Sequence, residues 1–236
     1  KSGKYIFEEL KKFLIENNLM NKDWKALNIL IQNASTVGLL DLNILSNQKG
    51  DDFSFFENLE NRKFKFLYLL GSDNLDFKKD NEFILYQGSH GDRGAEIADI
   101  VLPSASYTEQ NGLYQNLEGR VQECKKASYP IGEALEDWKI FNRIIKKIGD
   151  TENLTNFDQL RKEVLNSIPN FSQLNRLPTL SVTQNKNVQT NFISEDILVR
   201  ELDYYYTNSI SRASKTMSEC RQTLQNIKKM EQVINV

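Results

Sequence analysis

FILYQGSHGDRGAEIADIVLP, residues 83–103, decides the fold class. The apolar run over 83–88 predicts a buried strand. Glycines follow at every third place, Gly88, Gly91 and Gly94. A second apolar run, Ala98 to Leu102, is stopped by Pro103, so DIVLP at 99–103 predicts another short strand. Upstream, KFKFLYLLGSDN at 63–74 predicts a strand over 64–70, ended by Gly71 with Ser72 and Asp73 behind it. Continuous apolar runs of this kind suit a parallel sheet covered on both faces. Strands alternating with helical patterns give an α/β class. Three short strands fall below the usual sheet of about five or six. The expectation is therefore an incomplete sheet, completed by another segment or chain.

The flanking segments read as helices. YIFEELKKFLIENNLM, residues 5–20, places Ile6, Leu10, Phe13 and Leu14 on one face. Asp23 is a good N-cap for a second helix carrying Trp24, Leu27, Leu30 and Ile31 inward and fraying near Gly38. Residues 43–62 are polar and irregular. GEALEDWKIFNRIIKKIGD, residues 132–150, has Glu133, Glu136 and Asp137 in its first turns and Lys146 and Lys147 in its last, with Gly149 ending it. Its expected stripe is Trp138, Phe141, Ile145 and Ile148. A further helix runs over 157–168, closed by Pro169. Ile210, Ala213, Met217, Cys220, Leu224 and Ile227 step by three and four, which makes a narrow seam on a C-terminal docking helix. The expected organisation is an α/β piece over 1–169, a linker or surface loop over 170–200, and a tail over 201–236.

The 236 residues are 39% apolar and carry a formal net charge of −2. Without a strong field, nucleic acid and anionic membranes are poor candidates for partners. The longest central apolar run is far shorter than the roughly 20 residues of a membrane span, and mean hydropathy is −0.53. The chain has two cysteines, Cys124 and Cys220, and one histidine, His90. An iron–sulfur cluster or a structural zinc site needs about four such ligands, so neither is expected on this chain alone. Two free cysteines suit a reducing compartment. The absence of an initial Met suggests a processed product or a piece of something longer.

A strand, a glycine-spaced loop and a helix start form the grammar of a phosphate cradle. Here the spacing is G-x-x-G-x-x-G rather than G-x-G-x-x-G, and no Walker lysine follows. Asp92 at the expected helix start, with Glu96 one turn on, would repel a pyrophosphate. The glycines are therefore read as allowing tight turns and close packing. His90 follows Ser89, but neighbours in sequence seldom point at each other and the G-x-S-x-G elbow is absent; a hydrogen-bonded structural histidine is expected. Glu109, Glu118 and Asp137 are too scattered to call a carboxylate pair. Cys124 is expected to end a strand, and Cys220 to act as a small hydrophobe on the tail seam. No catalytic or metal-binding residue is nominated.

ADIVLPSASYTEQNGLYQNLEGRVQ, residues 98–122, resembles the molybdopterin-oxidoreductase pattern A-D-[IV]-[IV]-L-P followed by E-x-x-G-x-[YF]-x-N-x-E-[GR]-R-x-Q. YQGSHGDRGAEIAD at 86–99, EDWKIFNRI at 136–144, DWKALNIL at 23–30, FLYLLGSDN at 66–74 and DYYYTNSISRASKTMSEC at 203–220 resemble the large (75-kDa type) iron–sulfur subunit of respiratory complex I, the NADH:ubiquinone oxidoreductase. The resemblance implies a domain with the molybdopterin-enzyme fold that generally carries no pterin or molybdenum in complex I. It implies that the iron–sulfur clusters sit on an N-terminal part or a companion chain. Glu109, Gly112, Asn116, Glu118, Arg120 and Gln122 match the motif and are carried over as vestigial cofactor-region positions. The segment Gly88–Gly94 and its acids replace what would be a pterin-facing loop.

The expected role is thus a structural, non-catalytic part of the peripheral arm of complex I, with other peripheral-arm subunits as partners. Electron transfer from NADH to ubiquinone would be carried by other segments. The chain would lie on the matrix side of the mitochondrial inner membrane, or on the cytoplasmic side of a bacterial membrane, without inserting. A fragment of a genuine molybdopterin enzyme of the formate dehydrogenase type and a free-standing interaction module are the alternatives. The six seam residues from Ile210 to Ile227 are the expected docking surface.

Overall fold

Ile84, Tyr86 and Gln87 lie in one short strand and are at most 1% exposed; that strand is the centre of a parallel sheet. The computed structural model describes residues 2–20, 26–31, 33–44, 55–72, 75, 77–149, 154–168, 171, 173–178 and 203–234. The chain divides into two compact units. The first gathers Lys1–Lys49, Gly112–Cys124 and Leu154–Val199; the second gathers Gly50–Asn111, Lys125–Asn153 and Arg200–Val236. The span 1–169 thus contributes to both.

In the second unit, β1 (Phe66–Leu70), β2 (Phe83–Gly88) and β3 (Ile100–Pro103) pair in parallel in the order β1-β2-β3. Phe66 lies opposite Phe83, and Leu85 opposite Ile100. Side chains alternate between the faces. Leu67, Leu69, Ile84 and Tyr86 point to one face and form the core with Leu59 of α3 (Phe55–Glu60). Phe64, Phe77 and residues of α4 (Arg93–Glu96) and the turn after it pack around them. The opposite face carries Tyr68, whose ring stacks on Phe141 of α5 (Asp137–Ile148) at 5.5 Å. One face is therefore packed and α5 covers part of the other, where Phe66, Leu70 and Phe83 stay 45–54% exposed; the α/β class holds.

Helix α5 starts later than expected. Glu133 precedes it in a turn, Glu136 is its N-cap, and Asp137 is its first residue. Pro130 and Gly132 hold the preceding segment extended or turned, and Gly132 has φ +61°. Gly149 ends the helix in the left-handed conformation, φ +96°, a geometry that glycine adopts without a Cβ penalty. The buried side chain is Ile140, whereas Ile148, assigned to the stripe, is 79% exposed. A periodicity of 3.6 permits either frame in so short a helix, and the buried frame lies one residue earlier than the expected stripe.

The tail is broken. Helix α7 (Ser209–Ala213) and α8 (Lys215–Ile234) are separated by Ser214, which is extended at φ −80° and ψ 122°. The six-residue seam therefore does not lie on one helix. Ile210 and Ala213 belong to α7, and Met217, Cys220, Leu224 and Ile227 to α8.

The first unit contains α1 (Ser2–Glu16), α2 (Thr36–Asp41), an antiparallel hairpin of β4 (Gly112–Gln115) and β5 (Val121–Cys124), and α6 (Phe157–Ser167). Asn156 caps α6 by accepting the Gln159 amide at 2.9 Å. Cys124 ends β5, as expected. On α1 only Leu14 of the expected apolar face is buried; Ile6, Leu10 and Phe13 stay 42–56% exposed. Residues 26–31 are not helical, and Leu30 is 88% exposed. The second predicted helix fails over that stretch, while Asp23 and Trp24 lie outside the described residues. Gly38, the expected fraying point, is inside α2. The linker over 170–200 also lies mostly outside the described residues.

Candidate functional site

The carboxyl ends of the strands in an open parallel sheet are where α/β folds bind ligands. In the second unit these ends open into a cleft of about 320 Å³. Gly71 follows β1, Gln87 and Gly88 close β2, and Ser104 and Ala105 follow β3. Asp137 forms part of the wall and is the centre of its chemistry.

Asp137 sits at the amino end of α5, where a carboxylate meets unpaired backbone N–H groups and the positive end of the helix dipole. Its Oδ1 accepts from Gln87 Nε2 at 2.6 Å and from Ser104 Oγ at 2.6 Å. Its Oδ2 accepts from Gln110 Nε2 at 2.9 Å, and its own amide donates to Gln110 Oε1 at 3.1 Å. Gln87 is fully enclosed, and its Oε1 accepts from the Tyr68 hydroxyl. Burial, and then the negative charge of Asp137, push the Tyr68 hydroxyl above its ordinary pKa, so Tyr68 remains a proton donor to Gln87. The result is a continuous polar network through β1, β2, the segment after β3, and α5. Both oxygens of its carboxylate are occupied by fixed donors of the same chain.

The glycine loop is filled in the same way. A Cβ at Gly88 would collide with the Tyr86 hydroxyl, and one at Gly94 would stand 2.6 Å from the Ser72 carbonyl oxygen and 3.1 Å from the Tyr86 ring. The Tyr86 hydroxyl donates to the His90 carbonyl at 2.8 Å. Close packing, the expected reason for these glycines, is what Gly88 and Gly94 provide; Gly91 meets only Ala95, at 3.9 Å. Asp92 is the N-cap of α4: one oxygen accepts the Arg93 amide at 2.8 Å, and the other takes Arg212 Nε at 2.6 Å. His90 and Ser89 do meet, with Nδ1 and Oγ 3.0 Å apart, against the expectation for neighbours. The tight turn after β2 brings the two side chains to the same side.

The motif positions separate. Glu109, in the second unit, closes a turn by accepting the Ser106 amide at 2.9 Å. In the first unit Asn116, Glu118 and Arg120 build the turn of the β4–β5 hairpin. Asn116 Oδ1 accepts the amides of Glu118 and Arg120 at 3.1 and 2.9 Å, and Gly119 supplies the φ of +86° that the turn requires. Arg120 Nη1 donates to the Asn175 carbonyl at 3.2 Å. Gly112 begins β4, and Gln122, on β5, is exposed.

Of the docking residues, Ile210 lines the cleft, and Leu224 lines a separate hollow with Asp203 and Arg221. Ala213, Met217 and Ile227 are exposed, and Cys220 is half-buried. Sequence reasoning named Asp137 but missed Tyr68, Gln87, Ser104 and Gln110. The available signal was Gln87, the one residue of FILYQ unable to contribute apolar surface.

The family model described as Molybdopterin oxidoreductase matches residues 1–147. The chain belongs to the molybdopterin oxidoreductase family. A second family model, for the C-terminal region of the NADH-ubiquinone oxidoreductase G subunit, matches residues 178–220. As a member of the molybdopterin oxidoreductase family, the chain is 35% identical to the NADH-ubiquinone oxidoreductase 75 kDa subunit of Reclinomonas americana, over 92% of this chain and 32% of that one. It is 37% identical to the NADH-quinone oxidoreductase G subunit of Rickettsia conorii, over 92% of this chain and 31% of the relative. Identity to the corresponding protein of Rickettsia bellii is also 37%, over 95% and 32%. The resemblance to the large subunit of complex I is thus shown, and the chain spans about a third of the length of the curated relatives it matches.

Proposed function

We propose that this chain is a structural, non-catalytic part of the large iron–sulfur subunit in the peripheral arm of complex I. It supports electron transfer from NADH to ubiquinone carried by other segments. One observation carries this reading: the polar groups at the ligand-binding end of the sheet are spent on one another. A pterin with its phosphates needs free donors there. Gln87, Ser104 and Gln110 instead donate to Asp137, and Arg212 pairs with Asp92. A phosphate would meet two carboxylates with their counter-charges already engaged, so the donor set does not fit a pterin.

The names of the relatives support placing the chain in complex I. Among the described residues β1 and β3 are the outer strands of a three-stranded sheet, and Phe66, Phe83, Ile100 and Val101 are 45–54% exposed. Other segments of the same subunit would complete that sheet and cover those side chains. Helix α8 offers Met217, Ile227 and Met230 to a neighbour. The position is peripheral, on the matrix side of the mitochondrial inner membrane. No helix among the described residues is long and apolar enough to cross a membrane.

The test is elemental and pterin analysis of the full-length subunit purified in its assembly, together with a Met217→Asp variant. Iron without molybdenum or pterin, and impaired assembly on native gels, are expected. Molybdenum and pterin in stoichiometric amount would establish the formate-dehydrogenase-type alternative instead.

A further inference from the structure

The tail residues Asn208, Ser209 and Ile210 line the cleft at the carboxyl end of the sheet, together with Asp137 and Gln110. The capping and the Asp203 contacts shape the segment within the tail, and Arg212 ties it to the sheet. Asn208 and Ser211 form a reciprocal capping box: Asn208 Oδ1 accepts the Ser211 amide at 2.9 Å, and Ser211 Oγ accepts the Asn208 amide at 3.1 Å. Such a box makes a five-residue helix a defined object rather than a frayed turn. At its carboxyl end, Arg212 Nε reaches Asp92 Oδ2 at 2.6 Å, with the two side chains only 17% and 26% exposed. At its amino end, Asp203 accepts the amides of Tyr205 and Tyr206 at 3.1 Å and pairs with Arg221 of α8. The Arg221 guanidinium lies 4.6 Å from the centroid of the Tyr206 ring.

We propose that Asn208–Arg212 is an intramolecular latch: α7 closes the carboxyl end of the parallel sheet, and the Arg212–Asp92 ion pair holds it shut. Ile210, 37% exposed, supplies an apolar wall at the mouth of the cleft, and the pair supplies the attachment. Asp92 serves twice, since one oxygen caps α4 and the other receives the latch. The extended Ser214 separates this docked turn from α8, so the latch can release without unwinding the long helix. Every residue of the latch lies in the second unit.

Hydrogen exchange read by mass spectrometry on the full-length protein tests it. Arg212→Gln should speed exchange about five-fold in residues 203–214 and equally in the cleft wall at 104–110, as expected for loss of a partly buried pair. Exchange at Ile84 and Tyr86 in the sheet centre should not change. Arg212→Lys should recover part of the protection. Ile210→Ser weakens the closure without touching a charge and should give the same joint increase, which keeps the test decisive if Arg212→Gln fails to fold. Faster exchange in the tail alone would show that α7 covers nothing, and unchanged exchange in both segments would show that the pair holds nothing. Either result overturns the latch.

Discussion

Removing the carboxylate of Asp137 should loosen the second unit more than any other single polar deletion at the sheet's edge. Asp137→Ala deprives Gln87 Nε2, in a residue 0% exposed, of its acceptor, while Ser104 Oγ keeps the Ala105 carbonyl at 3.3 Å. A buried donor left unpaired costs about 1–3 kcal/mol. The Gln110 amide is half-buried and can turn toward water, so it adds little. Loss of a negative charge from the first turn of α5 adds about 0.3–1 kcal/mol. The expected cost is about 1–4 kcal/mol. Asp137→Asn keeps an oxygen for Gln87 and Ser104 and opposes its amide NH2 only to that of Gln110, so its cost should be about 1 kcal/mol. Because the chain has two units, a single unfolding midpoint mixes them. The assay is therefore native-state hydrogen exchange at the β2 amides. Protection in the alanine variant within about 0.5 kcal/mol of the parent would refute the network as a source of stability, and so would an asparagine variant as damaging as alanine.

Gly94→Ala should cost about 1–3 kcal/mol, because the new methyl would stand 2.6 Å from the Ser72 carbonyl oxygen and backbone must move to admit it; native-state hydrogen exchange at the β2 amides measures this. Burial alone would raise the pKa of Glu136, but the Trp138 indole N–H and the ammoniums of Lys126 and Lys139 outweigh it and hold the carboxyl below its ordinary value. A lowered carboxylate stabilises the fold above its unfolded pKa of about 4.3 and loses that contribution as pH falls through the native value. Glu136→Gln should therefore be less stable than the parent at pH 7, with the gap closing as pH falls through the native value; hydrogen exchange at the β2 amides across acidic pH measures it.

The strands were legible because their apolar runs are continuous, and a two-sided parallel sheet needs that. β2 came out with the predicted limits, and β1 and β3 within a residue or two. The helix expected from Asp23 onward was misread because Leu27, Leu30 and Ile31 step like a helix face, although Leu30 lies against solvent in an irregular segment. The tail seam was periodic in sequence, and periodicity alone cannot report that Ser214 takes an extended conformation between its second and third members. The polar site was the least legible feature. Its partners come from positions 68, 87, 104, 110 and 137, and only the parallel pairing of β1, β2 and β3 with α5 against them brings these together. Asn116, Glu118 and Arg120, by contrast, lie close in sequence, and a single hairpin turn gathers them.

Tyr86 and its two glycines have an evolutionary corollary. The ring and hydroxyl occupy the volume that side chains at 88 and 94 would otherwise fill, so these three positions are not free to drift separately. A smaller residue at 86 would license larger ones on the loop, and a larger one on the loop would demand a smaller one at 86. Among descendants of this sequence the trio should be inherited as a set, changing together or not at all.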